Sequence, residues 1–161
     1  MKKLILALTI ILSPLFYSAA FGCSCPTIGV TPEQEKVSRL NDFNSAVAVF
    51  SGEVIELEEN RVKFKVDRIW KGESVDEIVM TIQLKKDDGS YVRTSCDYYY
   101  ELGEKLLIYA YGTVNKLTTY QCTRTTSFKN VKRAEQEIKG LNEIKLPDTR
   151  NIKKRSKSKN K

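Results

Sequence analysis

The 161-residue sequence contains no histidine. That absence removes Ser-His-Asp and Cys-His catalysis and every metal site built on imidazole. Glycine is sparse, eight residues in all, and none forms a phosphate-cradling loop. Acidic residues are missing from both ends, 1–22 and 150–161. The apolar run at 4–17 is broken by Thr9 and by Ser13-Pro14, and it is shorter than the roughly 18 residues expected of a membrane span. On these grounds the chain is not expected to be an enzyme. The class that composition leaves open is a hydrolase working through paired carboxylates. The adjacent Asp87 and Asp88 lie in "KKDDGS" and read as turn chemistry instead.

What is present at the N-terminus is an export signal. Lys2 and Lys3 precede the apolar run, and Ala20 and Gly22 give the small-x-small pattern of a signal peptidase site before Cys23. Residues 1–22 are therefore expected to be removed, leaving 139 residues (161 minus 22), enough for one domain with a real core. A lipoprotein signal, with Cys23 lipidated, is the alternative processing. Either way the chain is expected to be secreted or periplasmic, or lipid-anchored to the envelope, with no stable transmembrane segment after cleavage. All four cysteines, Cys23, Cys25, Cys96 and Cys122, follow the signal. An even number in an exported chain reads as two disulfides. A Cys23–Cys25 bridge is a very small, strained ring, which leaves two pairings to distant parts of the chain. A zinc site is disfavoured, because Cys-x-Cys is not the usual ligand spacing and no histidine assists. No cofactor is expected.

Charge is unevenly spread. The last twelve residues, "RNIKKRSKSKNK", carry seven basic groups. The body, 23–149, has 18 basic residues (27 minus 2 minus 7) and 20 acidic ones, a net of −2. The segment 148–161 thus reads as a solvated basic tail able to touch anionic surfaces, and nucleic acid is not an expected partner.

The body, 23–147, reads mostly as strands. Thr31, Pro32 and Gln34 form a capping-box start to a helix over about 32–42, with Val37 and Leu40 as its core contacts. "AVAVFSGEVIEL" (46–57) is β-rich, and Gly52 marks a bulge or bend. Val62, Phe64 and Val66 alternate with polar residues, as do Ile78, Met80, Ile82 and Leu84. "KLLIYAYG" (105–112) is apolar on both faces, as a central strand would be, with "KLTTYQC" as its partner. Trp70 reads as an aromatic covering a barrel end, and "YYY" at 98–100 as alternation into and out of the barrel. Val131, Ala134, Ile138 and Leu141 recur at helical spacing in a closing helix. Five or so strands with turns between them suggest a small barrel or sandwich.

Cys-Ser-Cys at the mature N-terminus, a third cysteine before "YYYELGEKLLIYAYG", and a fourth in "CTRT" ahead of a final helix resemble the netrin-like domain. In particular they resemble the tissue inhibitor of metalloproteinases family and its bacterial relatives, over about 23–142. The resemblance implies a mainly β fold: a five-stranded Greek-key OB barrel with flanking helices, stapled by Cys23–Cys96 and Cys25–Cys122. It also implies a function, inhibition of a zinc metalloendopeptidase. The α-amine and carbonyl of Cys23 would chelate the protease's zinc, and Ser24 would enter the specificity pocket. Cys25, Pro26 and Thr27 would continue the inhibitory ridge, with Thr94 and Ser95 lining its other side. A free α-amine has a pKa of roughly 7.7–8.0, so its ligating form is accessible near neutral pH. Animal members carry a third disulfide and a second cysteine-rich domain, both absent here. The alternative is a non-inhibitory netrin-like protein-binding module of the cell envelope.

Overall fold

The structure, a computed structural model, describes residues 22–23, 25, 31–82, 84–85, 88, 91–92 and 94–144. The expected signal peptide up to residue 21, most of the turn at 85–90 and the expected basic tail lie outside the described residues. Helix α1 (Pro32–Ser45) is followed by strands β1 (Ala48–Leu57), β2 (Arg61–Lys71) and β3 (Glu77–Thr81). A short pair, β4 (Leu84–Lys85) and β5 (Tyr91–Val92), leads on to β6 (Lys105–Thr113), β7 (Lys116–Thr118), β8 (Thr126–Ser127) and helix α2 (Val131–Glu143).

The strands pair in the order β1-β2-β3-β7-β6, and β6 returns to β1, which closes a five-stranded barrel. All the pairings in the ring are antiparallel except β3 with β7, which meet in parallel at Met80 and Leu117. This is the OB-fold connectivity. β8 adds to the edge of β6 outside the ring.

Burial divides into two cores. Inside the barrel lie Phe50, Val54, Val62, Phe64, Ile78, Met80, Ile82, Leu106, Ile108 and Leu117. Outside it, Val49, Trp70, Leu107 and Tyr109 pack with Phe43 of α1 and Leu141 of α2. β6 supplies alternate residues to each core, which is why "KLLIYAYG" is apolar on both faces.

Two expectations need correction. Trp70 does not cover a barrel end; it packs outside, in the core under the helices, and donates through its indole N–H to Asn142 Oδ1 at 2.9 Å. The reason is a bulge. Ser51 and Gly52 pair with Arg68 and Val66, so Asp67 is an extra residue on β2. One extra residue turns the remainder of the strand over, and Ile69 then packs toward the barrel interior while Trp70 faces out.

Helix α1 begins as expected, with Thr31 and Gln34 forming a reciprocal capping box. However, it runs on to Ser45, and Val37 and Leu40 are 54% and 44% exposed. Phe43 is its buried residue. The helix is turned so that Glu35, Arg39 and Asp42 face the rest of the protein, because those charges have partners there.

Gly52 sits where β1 and β2 press together. A Cβ placed there meets the Lys65 carbonyl oxygen at 2.5 Å and its carbon at 3.3 Å, both backbone atoms that cannot swing aside. Gly52→Ala is expected to cost about 1–3 kcal/mol of stability, read as a lower urea midpoint. An unchanged midpoint would contradict this packing.

Candidate functional site

The four cysteines singled out by the sequence come together beside the turn that follows β7. Cys23 is bonded to Cys96 and Cys25 to Cys122, each with Cα atoms 5.0 Å apart. The two disulfides also lie against each other: the Cys23 and Cys122 sulfurs, which belong to different bridges, are 3.5 Å apart. This is the connectivity that the family resemblance implies.

Both receiving cysteines sit on backbone that is held independently of the bridges. Before Cys96, the Thr94 N–H donates to Asp97 Oδ2 at 2.6 Å, and the Asp97 N–H returns to the Thr94 carbonyl at 3.2 Å. Asp97 is buried and pairs with Tyr120, and the Gln121 N–H donates to the Cys96 carbonyl at 2.9 Å. The turn carrying Cys96 is thereby tied to the turn carrying Cys122.

Beyond Cys122, threonine hydroxyls fill a gap in the sheet. β8 pairs with β6 at residues 106–107 and β7 pairs with it at 111–113, so neither serves the edge at Tyr109. The Tyr109 N–H donates to Thr125 Oγ1 at 3.1 Å, and Thr119 Oγ1 donates to the Tyr109 carbonyl at 2.8 Å. The two hydroxyls are 3.0 Å apart, which closes a ring around this peptide.

Between these threonines, Arg124 points into the seam between barrel and helices and is 2% exposed. It donates to Glu35 at 2.6 Å, to Asp42 at 2.7 Å and to Glu137 at 2.7 Å. Glu137, 4% exposed, also accepts from Arg39 at 3.1 Å and from the Tyr109 hydroxyl at 3.3 Å. One cation thus fastens both helices to the segment that holds the disulfides. Burial opposes the charge on Arg124, but its carboxylate partners outweigh burial and hold its pKa above the ordinary arginine value. The hydrogen bond from Arg124 in turn holds the Glu35 carboxyl below its usual value of 4.5.

A folded-state pKa below the unfolded one gives stability that is present at neutral pH and lost on acidification. The protein is therefore expected to keep its stability down to about pH 4.5 and to lose it steadily below, in urea titrations across roughly pH 3 to 7. Glu35→Gln should be less stable at neutral pH and show a shallower acid limb. An acid limb identical to that of the parent would remove Glu35 from the account.

Around the bridges, Cys23 and Cys122 are half-buried and Cys25 is exposed. Thr94 and Ser95 are exposed beside Cys96, so the structure brings them next to the residue pair Cys23–Cys96. Ser24, Pro26 and Thr27 lie outside the described residues. Of the three tyrosines at 98–100, Tyr100 is buried, Tyr98 half-buried and Tyr99 exposed. Burial, with Glu104 nearby, pushes the Tyr98 hydroxyl up to about 12.

The charged network was not anticipated. Glu137 falls between Ala134 and Leu141 on the apolar stripe of α2, and a carboxylate in that position signals a buried partner. No comparable signal marks Arg124, Asp97 or the threonines.

A separate groove of about 280 Å³ opens where the β2–β3 and β6–β7 turns meet, lined by Ala48, Gly72, Ile78, Val114 and Leu117 with Glu73 and Glu77. Among the described residues, no helix is long and apolar enough to cross a membrane. Two disulfides fit an oxidising, non-cytoplasmic compartment. Compared with known proteins, the chain matches no family model, and no curated protein is significantly similar to it.

Proposed function

We propose that this protein is an exported inhibitor of zinc metalloendopeptidases, acting through its N-terminal segment. The observation that carries the proposal is the double fastening of Cys23 and Cys25 to backbone that is itself locked to the barrel. Two anchors placed two residues apart restrain the direction of the chain end. A segment held this way loses little conformational freedom on docking.

A protease zinc keeps three protein ligands and one open position occupied by water. If export processing leaves Cys23 first, its amine nitrogen and carbonyl oxygen form a five-membered chelate at that position and displace the water. Ser24 then points into the specificity pocket, and Cys25, Pro26 and Thr27 continue along the cleft. Thr94 and Ser95, exposed beside Cys96, would line the other side. The resemblance to netrin-like inhibitors supports the same assignment of roles. A signal segment at 1–22 would send the chain to the periplasm or the outside, with lipidation of Cys23 as the competing outcome. Lipidation would occupy the Cys23 sulfur that is bonded to Cys96 in this structure and would acylate the amine, so that form would neither carry the bridge nor chelate.

The test is inhibition of a panel of zinc endopeptidases by the naturally processed protein, with its intact mass measured in parallel. Inhibition of at least one member by a chain that begins with unmodified Cys23 is expected. A correctly processed, disulfide-bonded protein that inhibits none would favour the envelope binding module instead.

A further inference from the structure

We propose that, when both disulfides are reduced, Cys23, Cys25, Cys96 and Cys122 together hold one zinc-type divalent cation. The inference is independent of protease inhibition, because it concerns the thiol form of the protein.

The sulfurs of Cys23, Cys25 and Cys122 all lie within 4.8 Å of one another. Cys23 and Cys122, on different bridges, are 3.5 Å apart, and Cys96 is bonded to Cys23. Three sulfurs therefore lie together, and the fourth, that of Cys96, is attached to the group through Cys23. In a tetrahedral zinc site with Zn–S near 2.3 Å, neighbouring sulfurs stand about 3.8 Å apart. The unbonded pair is already close to that spacing. The bonded pairs must open, from about 2.05 Å to about 3.8 Å, and the Cys96 sulfur must swing toward Cys25 and Cys122, movements within the reach of side-chain rotation and a small shift of the chain end once the bridges are reduced.

The scaffold favours this. Cys96 and Cys122 are presented by the tied turn and the anchored segment, whose hydrogen bonds do not involve the bridges. Cys23 and Cys25 arrive on the N-terminal segment. The Cys-x-Cys spacing, too short for an ordinary zinc loop, suffices when the other two ligands come from a prepositioned pair. The chemistry balances in two steps. A dithiol reductant converts each disulfide to two thiols and is itself oxidised to a disulfide. The four thiols then bind the cation as thiolates and release four protons. Such a form would keep the four thiols together, and protected from mispairing, until the cation is withdrawn and oxidation proceeds.

The probe is Co²⁺ alone, added anaerobically to the exported form of the protein after reduction by a phosphine, which takes up the oxygen of water as each disulfide opens. One equivalent is expected to bind, with an intense thiolate-to-cobalt band in the near ultraviolet and visible bands of tetrahedral cobalt. Zn²⁺ should abolish them. Each single Cys→Ser substitution should remove about a quarter of the charge-transfer intensity. The oxidised protein should show none of these bands. If reduction alone unfolds the chain, one equivalent of Co²⁺ should restore the β-rich circular dichroism. The proposal is overturned by reduced protein without the thiolate band, by one cobalt shared between two chains, or by cobalt binding that leaves an unfolded chain unfolded.

Discussion

Arg124→Ala is expected to lower the stability of the protein by about 3–5 kcal/mol, the range for breaking a buried ion pair by removing one partner. The cost arises mainly from what is left behind. Glu137 is 4% exposed, and without Arg124 it keeps, among the described residues, Arg39 and the Tyr109 hydroxyl. Glu35 loses the contact that lowers its pKa, and Asp42 loses its link to the barrel. Both helices are held at the same seam, so they loosen together. For a domain of this size the change corresponds to a fall in melting temperature of more than about 10 °C. Arg124→Lys should recover only part of the loss, because one ammonium cannot reach three carboxylates as a planar fork does. Thermal unfolding of the two variants checks this, and a drop under about 1 kcal/mol for the alanine variant would contradict it.

A single alanine added before Cys23 is expected to abolish protease inhibition while leaving the fold intact. The addition turns the amine into an amide, a far poorer ligand, and puts bulk where the zinc must sit. If the chelate carries even roughly 4 kcal/mol of the binding, the inhibition constant rises about 1,000-fold. The barrel is not involved, since both disulfides and every core position remain. The extended form should therefore match the parent in circular dichroism and melting temperature. Acetylating the amine should act in the same way. Replacing Ser24 should instead change which proteases are inhibited, because a side chain that fills a pocket sets specificity rather than the metal bond. Equal inhibition by the extended form would refute chelation even where inhibition is real.

Much of the barrel was legible because strand alternation is local. The two apolar faces of β6 announced a strand packed on both sides, and Gly52 announced the irregularity opposite it. The position of Trp70 was not legible, because one extra residue at Asp67 reverses the facing of all that follows, and nothing in "KVDRIW" marks it. Val37 and Leu40 misled for a different reason. Apolar spacing identifies the inward face of a helix only when that face is apolar, and α1 turns a charged face inward. The partners of those charges lie 82 to 98 residues away along the chain, beyond any local pattern. The cysteine pairing is similar. Spacing excluded Cys23–Cys25 but left two connectivities open. With sulfurs of different bridges 3.5 Å apart, the two are nearly neighbours in space as well.

The central claim, that the Cys23 amine and carbonyl bind a protease's zinc, is tested most directly on a cobalt-substituted zinc endopeptidase that the protein inhibits. Cobalt reports its own coordination in the visible spectrum. Replacement of the single water by a nitrogen and an oxygen takes the metal from four ligands to five. The naturally processed protein should shift and weaken the tetrahedral cobalt bands in proportion to the complex formed, and the alanine-extended form should leave them unchanged. Full inhibition with an unaltered cobalt spectrum would show that the cleft is blocked without contact to the metal, and the chelation account would be wrong.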